Sequence, residues 1–186
     1  MRICLQTSNS VYLNVKVELL NRIKSLYHSK FKYSPALNHI DSGIICLKMI
    51  AAFYGKDYSV DFLRAKCIIV NLSMSLQEIS SLAEKIGFKS IIIKLSYRQL
   101  VEEVSLPAIL QWNQEHFVVI YAHKASLWSF LPGINKEKRT YIADPNSGLL
   151  RLDKKTFLTN WLDKNSWRGD ILLLQLEKAF YENNAL

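Results

Sequence analysis

The amino-acid sequence predicts an α+β fold in which helices come first and an antiparallel sheet follows. Residues 41–54 are apolar nearly all round, which is typical of a helix enclosed within a domain. Later in the chain the period shortens to strand-like runs, in "KSIIIKL", "LPAILQW", "HFVVIYAH", "RTYIADP", "GLLRLD" and "DILLLQL". We therefore expect the apolar helix to be buried against one face of the sheet.

Start and stop signals define the individual elements. Asp41 is expected to cap the apolar helix and Gly55 to end it. Ser75 begins "SLQEISSLAEKIGF" and has Glu78 three residues on, which is the pattern of a capping box. "SVDFLRAKC", "SYRQLVEEV" and "KKTFLTNWL" are predicted to be short helices, and "NQE" is predicted to join two strands as a hairpin.

Composition excludes several classes of protein. The 186 residues suit one domain with a sizeable core, and no apolar run reaches the roughly 18 residues of a membrane span. Three cysteines, Cys4, Cys46 and Cys67, lack CxxC spacing, which favours a reducing compartment over a disulfide or zinc framework. The net charge of +8 is scattered without a basic stripe, so we expect no nucleic-acid partner.

Three regions are predicted along the chain. Residues 1–30 form an extension whose segment "VKVELLNRIKSLYHSK" has the apolar spacing of a basic amphipathic helix. That helix either packs on its own domain or docks on a partner or a membrane surface. Residues 31–178 form the main domain, and residues 179–186 form a C-terminal tail.

Three residues could together form a hydrolytic site. Ser42 stands at the start of the apolar helix, His116 opens a strand in "EHFVVIY", and Asp144 ends a strand in "YIADPNSG". A nucleophile, a base and a group that orients the base are what such catalysis requires. Each residue also has an ordinary structural role to weigh against this: a helix start, a hydrogen-bonded histidine, and an Asx turn before Pro145.

The order of the motifs resembles the peptidase C39 family, the papain-like cysteine protease domains at the N-terminus of bacteriocin-exporting ABC transporters. The resemblance rests on "DSGIICLKMIAAFYGK", "SLQEISSLAEKIGF", "LPAILQWNQEHFVVIY" and "YIADPNSGLLRLDKKTFLTNW", which cover about residues 31–176. It implies a papain-like fold whose nucleophile helix begins with a cysteine in "D-C-G". It also implies a histidine in "HFVV", an aspartate in "ADP", and an oxyanion-donating glutamine six residues before the cysteine.

Two of these implied residues are absent from the sequence. His116 and Asp144 match the family's pattern, but Ser42 stands at the cysteine position and Ala36 at the glutamine position. A serine hydroxyl does not ionise as a thiol does, and losing one oxyanion donor typically costs about 10²–10³ in rate. We therefore expect no useful peptidase activity, and we expect Cys46, one turn deeper, to be core packing and not a substitute nucleophile.

The presence of Ser42 is also open to two alternatives. One is a Cys-to-Ser change introduced into an active leader-cleaving peptidase domain, which would not account for Ala36 as readily. The other is a true serine hydrolase built on the same scaffold.

The resemblance also implies a binding function that outlasts the loss of the nucleophile. Family members bind the leader peptide of double-glycine-type precursors, so the expected partners are such a leader and an ABC transporter or other export machinery. No cofactor is expected. The location expected is the cytoplasm or the cytoplasmic face of the inner membrane, and the start Met with the N-terminal extension favours a stand-alone protein over a transporter fragment.

One stretch departs from a compact hairpin. "KASLWSFLPGINKEKR", between His116 and Asp144, is long and carries Trp128, Phe130 and Leu131. These side chains are expected to form either an exposed apolar patch for a partner or an Ω-loop folded on its own aromatic residues.

Overall fold

The computed structural model describes residues 31–36, 41–67, 74–124 and 139–182. Its helices are α1 (Ser42–Phe53), α2 (Val60–Lys66), α3 (Leu76–Lys85), α4 (Tyr97–Glu103), α5 (Lys154–Trp161) and α6 (Lys178–Glu182). Its strands are β1 (Phe88–Leu95), β2 (Ala108–Trp112), β3 (His116–Lys124), β4 (Arg139–Asp144), β5 (Gly148–Leu152) and β6 (Gly169–Leu176). The predicted helix in residues 1–30 and the predicted patch at Trp128, Phe130 and Leu131 lie outside the described residues.

The described strands form one sheet in the order β1-β6-β2-β3-β4-β5, and every neighbouring pair is antiparallel. The predicted hairpin at 113–115 is present, because Trp112 pairs with His116 across the β2–β3 turn. Strand β6 is inserted between β1 and β2 although it comes last in the chain. The α+β prediction is therefore confirmed, with the helical segment first and an antiparallel sheet after it.

Helix α1 packs against β3, and its residues from Ser42 to Leu47 are all buried. Gly55 follows the end of the helix with a φ of +96°, a conformation that glycine adopts without steric cost. The prediction that Asp41 caps the helix is wrong. Asp41 occupies the N-cap position, but its φ of −87° and ψ of 0° are not extended and its side chain makes no capping hydrogen bond.

The opposite face of the sheet is covered by α4 and α5. The cluster there is centred on Phe157 and Trp161 of α5, which pack with Leu110, Val118 and Ile171 from the central strands. The sheet thus has buried residues on both faces, as in a layered α+β domain. Because α1 lies on one face and α5 on the other, the beginning of β3 is enclosed from both sides.

The capping box predicted at Ser75 is present. The Ser75 hydroxyl accepts from the backbone N–H of Glu78, and the Glu78 carboxylate accepts from the backbone N–H of Ser75. At the other end of the domain, Phe180 of α6 is buried against Phe88, with ring centroids 4.6 Å apart. Within the described ranges, no helix has both the length and the apolar character needed to cross a membrane.

Candidate active site

Ser42 is the first residue of α1 and is 3% exposed. Its hydroxyl oxygen accepts a hydrogen bond from the backbone N–H of Phe117, at 3.4 Å. Phe117 directly follows His116, so the fold brings the helix start beside the start of β3. Among the described residues, however, the Ser42 hydroxyl makes no hydrogen bond to the His116 ring.

His116 and Asp144 face one another from adjacent strands. Ala143 of β4 pairs with Val119 of β3. Asp144 ends β4 and His116 begins β3, so the two residues lie at the same end of this strand pair, where long side chains reach one another. The distance from His116 Nε2 to Asp144 Oδ2 is 3.3 Å, so the two residues that match the family's pattern are joined by a hydrogen bond.

The environment of Asp144 favours its charged form. Burial raises the pKa of the Asp144 carboxyl, but the hydrogen bond from His116 and that from the backbone N–H of Asn146, at 2.9 Å, outweigh burial and lower it. The carboxylate is therefore ionised at neutral pH and can hold the His116 ring in one orientation. The bond to Asn146 is also the Asx turn expected before Pro145, so Asp144 serves both the turn and the histidine.

Replacing Asp144 by asparagine is expected to make the free energy of unfolding depend less steeply on pH in acid. Because the folded-state pKa is depressed, the carboxylate stabilises the fold above its unfolded value of about 4, and this contribution is lost as pH falls through the folded value. Urea unfolding from pH 6 down to about pH 2 should show a smaller loss of unfolding free energy for Asp144→Asn than for the parent. Equal losses in the two proteins would contradict this assignment.

Ala36 lies beside the turn that follows Asp144 at the end of β4. Its backbone N–H donates to the Pro145 carbonyl at 2.9 Å, and the Tyr33 hydroxyl donates to the same carbonyl at 3.2 Å. Two hydrogen bonds thus fix Tyr33 and Ala36 against the residue after Asp144. The Ala36 side chain is a methyl group, so this position offers no hydrogen-bond donor to a reacting carbonyl.

Cys46 is fully buried in α1 as a free thiol. Burial raises the pKa of this thiol well above its usual value, and the Asp144 charge raises it further. A reactive cysteine needs the opposite, an accessible site that favours the thiolate. Cys46 is core packing, as expected, and Cys4 lies outside the described residues.

Sequence reasoning missed the partner of Asp41. The carboxylate of this buried residue binds the Arg64 guanidinium of α2 through two nitrogens, and the bond from Nε to Oδ1 is 3.2 Å. The pair lies next to Ser42 and fixes the chain as it enters α1. No short-range pattern links residues 41 and 64, so only the presence of an acid before a buried helix could have suggested it.

Comparisons with known proteins agree with this architecture. The peptidase C39 family model matches residues 30–166. The chain is 31% identical over 84 residues to the colicin V secretion/processing ATP-binding protein CvaB of Escherichia coli, covering 45% of this chain and 12% of that protein. It is 25% identical over 107 residues to the probable microcin-H47 secretion/processing ATP-binding protein MchF of Escherichia coli, covering 58% and 15%. The chain thus spans only a small part of these curated relatives.

Two solved structures share the fold. A double glycine motif protease from an AMS/PCAT transporter, in complex with the leader peptide, has a TM-score of 0.65 at 20% identity and covers 78% of this chain and 91% of its own. The peptidase domain of Streptococcus ComA, a bi-functional ABC transporter, has a TM-score of 0.63 at 21% identity and covers 79% and 99%. The papain-like helix-and-sheet arrangement is therefore shared, and with the family model matching most of its length, the chain belongs to the peptidase C39 family.

Proposed function

We propose that this chain is a catalytically inactive peptidase C39 domain that binds a double-glycine-type leader peptide, or a transporter partner, in peptide export. The observation that carries the proposal is a site that keeps its frame but lacks its reacting groups. His116 and Asp144 are hydrogen-bonded, and the segment before α1 is anchored at Pro145, whereas Ser42 has no thiol and Ala36 no side-chain donor.

The hydrogen bonding of Ser42 supports loss of activity. A serine nucleophile must pass its proton to a base during attack, and the hydroxyl here is not hydrogen-bonded to the described His116 ring. The Phe117 N–H donates to the hydroxyl oxygen and withdraws electron density from the atom that would attack. A serine also gains little from a helix start, which favours a thiolate that is already charged.

An apolar groove on the sheet supports leader binding. This β1–β6 groove has a volume of about 480 Å³ and is lined mainly by apolar side chains, among them Tyr54, Ile91, Val104 and Leu173. Ile91 pairs with Leu173 across the two strands and is 51% exposed, so the groove presents apolar surface to solvent. A surface of this kind suits the apolar side of an amphipathic helix, whose anchors recur every three or four residues.

The occupant suggested for the groove is a leader helix because one structural neighbour was solved with its leader peptide bound. Lys89 and Glu103 also line the groove, so both signs of charge are available to the polar side of a helix. Binding of this kind needs apolar contact and not a nucleophile, so it is compatible with Ser42 and Ala36. The function that follows is capture of an export substrate without cleavage.

Isothermal titration with leader peptides tests the proposal directly. In a panel of synthetic double-glycine leader peptides, each extended a few residues past the cleavage site, at least one should bind with micromolar affinity and be recovered uncut by mass spectrometry. Ile91→Glu should weaken binding at least about tenfold, because a carboxylate would have to be buried against the helix.

Leu149→Glu is the matched control for this titration. Leu149 is 54% exposed on β5, at the opposite edge of the sheet, so the same change in charge and shape there should leave leader affinity unchanged. Equal losses in the two variants would place the peptide elsewhere. Failure of every leader to bind, or cleavage by the unaltered chain, would overturn the proposal.

A further inference from the structure

A second surface lies at the other end of β6 from the β1–β6 groove. It is a cavity of about 560 Å³ between the β2–β3 hairpin turn and the loop that joins α5 to β6, called here the hairpin cavity. Its lining is mostly polar and includes Asn113, Gln114, Asn160, Lys164 and Arg168. The size is that of a site for a few side chains or a small ligand.

The loop over residues 162–168 is held in one conformation. Asp163 Oδ1 accepts from the backbone N–H groups of Asn165 and Ser166, at 3.0 and 2.8 Å. Its backbone N–H donates to the Arg168 carbonyl and its own carbonyl accepts from Trp167, each at 3.0 Å. On the other wall, the Asn113 N–H donates to the Asn160 carbonyl at 2.8 Å, which ties the hairpin turn to α5.

This loop presents Trp167 to solvent. The residue has a φ of +52°, which is rare and costly for a bulky side chain, and it is 70% exposed. A rigid backbone therefore holds a large aromatic group outward, beside Arg168 at the cavity. Exposed tryptophan and arginine are the residues that most often anchor a partner polypeptide.

The acidic side chains that line the hairpin cavity have partners within the protein, whereas two of its basic side chains form no ion pair with a described residue. Its acids are engaged, Asp163 with the loop N–H groups and Asp170 with Lys94 at 3.5 Å. Its cations Lys164 and Arg168 are exposed, and neither forms an ion pair with another described residue. The surface thus offers two available positive charges, several carboxamides and one aromatic ring.

We infer that the hairpin cavity and Trp167 bind an acidic segment of a partner polypeptide. Carboxylates of the segment meet Lys164 and Arg168, the amides of Asn113 and Gln114 match peptide groups, and Trp167 covers an apolar side chain. Two cations suit a few carboxylates better than the repeated phosphates of a nucleic acid, which need a longer row of positive charge. This surface is separate from Ser42 and from the β1–β6 groove, so the inference does not depend on leader binding.

Fluorine NMR of the full chain labelled with 5-fluorotryptophan tests the inference. The Trp167 resonance is identified as the one missing from Trp167→Phe. The probe is the capped peptide acetyl-Glu-Glu-Leu-Glu-Glu-amide, and its glutamine analogue is the comparison. The acidic peptide should move the Trp167 resonance with a submillimolar Kd, and the glutamine peptide should bind at least about tenfold more weakly.

Paired variants separate the cavity from general basicity. Lys164→Gln with Arg168→Gln should weaken the acidic peptide at least about tenfold, whereas Lys155→Gln with Lys178→Gln removes the same charge from exposed positions outside the lining and should have little effect. The inference is overturned if the Trp167 resonance stays fixed at millimolar acidic peptide, or if both double variants lose affinity equally. It is also overturned if an oligonucleotide or anionic vesicles move that resonance and the acidic peptide does not.

Discussion

The double variant Ser42→Cys, Ala36→Gln is expected to cleave a double-glycine leader peptide that the unaltered chain leaves intact. A cysteine at position 42 places a thiol at the start of α1, where the helix N-terminus and His116 favour the thiolate. A glutamine at position 36 restores an amide donor on a segment already anchored to Pro145. The rest of the site, the His116–Asp144 hydrogen bond, is in place.

The two changes should contribute unequally. Ala36→Gln alone should produce no cleavage, because no thiol is present to attack. Ser42→Cys alone should leave kcat about 10²–10³ below that of the double variant, which is the usual cost of one missing oxyanion donor. Both comparisons are made by following leader release by chromatography and mass spectrometry, which yields kcat and KM separately.

Asp144→Ala in the double variant is the control for the catalytic frame. It removes the hydrogen-bond acceptor that orients His116, so kcat should fall by orders of magnitude while leader affinity stays the same. An alternative result is cleavage by Ser42→Cys as fast as by the double variant. That would show that Ala36 is no defect and would favour an active peptidase domain altered only at position 42. Failure of the double variant despite leader binding would mean that something besides the two residues blocks catalysis.

Much of the fold follows from local patterns. The nearly all-apolar segment after Asp41 is long enough to favour a buried helix, and the capping box at Ser75 and the short strands after residue 87 are signals within a few residues of chain. The order of the strands in the sheet could not be predicted from such local signals. β6 lies between β1 and β2, and its run "DILLLQL" does not reveal which neighbours it will pair with.

In the candidate site, sequence could predict only those features that depend on the identity of a side chain. The sequence suggested that Ser42, His116 and Asp144 belong together, and the structure places them at one end of α1 and β3. The sequence could not show that the backbone N–H of Phe117 donates a hydrogen bond to the Ser42 hydroxyl, since nearly every residue carries a backbone N–H. It also assigned Asp41 to capping, because an acid before a helix favours that role until a nearby cation competes.

The cation that competes for Asp41 is Arg64, and its removal is expected to have the second large effect, a lower Tm. Arg64→Ala is expected to lower the Tm by about 5–10 °C, because it leaves the buried Asp41 carboxylate without its bidentate partner. The Arg64 side chain is 37% exposed, so water that enters in its place should keep the loss at the lower end for a buried pair. Thermal unfolding followed by circular dichroism measures it.

Arg98→Ala is the matched control, since Arg98 pairs with Glu102 at 2.9 Å on the exposed side of α4. Removing that pair should change the Tm by no more than about 1 °C. Asp41→Asn combined with Arg64→Ala should recover much of the loss, because it removes the buried charge itself. If Arg64→Ala and Arg98→Ala cost the same, the Asp41–Arg64 pair does not hold the entry to α1. If it does hold that entry, Arg64→Ala in the reactivated Ser42→Cys, Ala36→Gln chain should lower kcat at temperatures where the fold is intact, because the residue beside the nucleophile is no longer fixed.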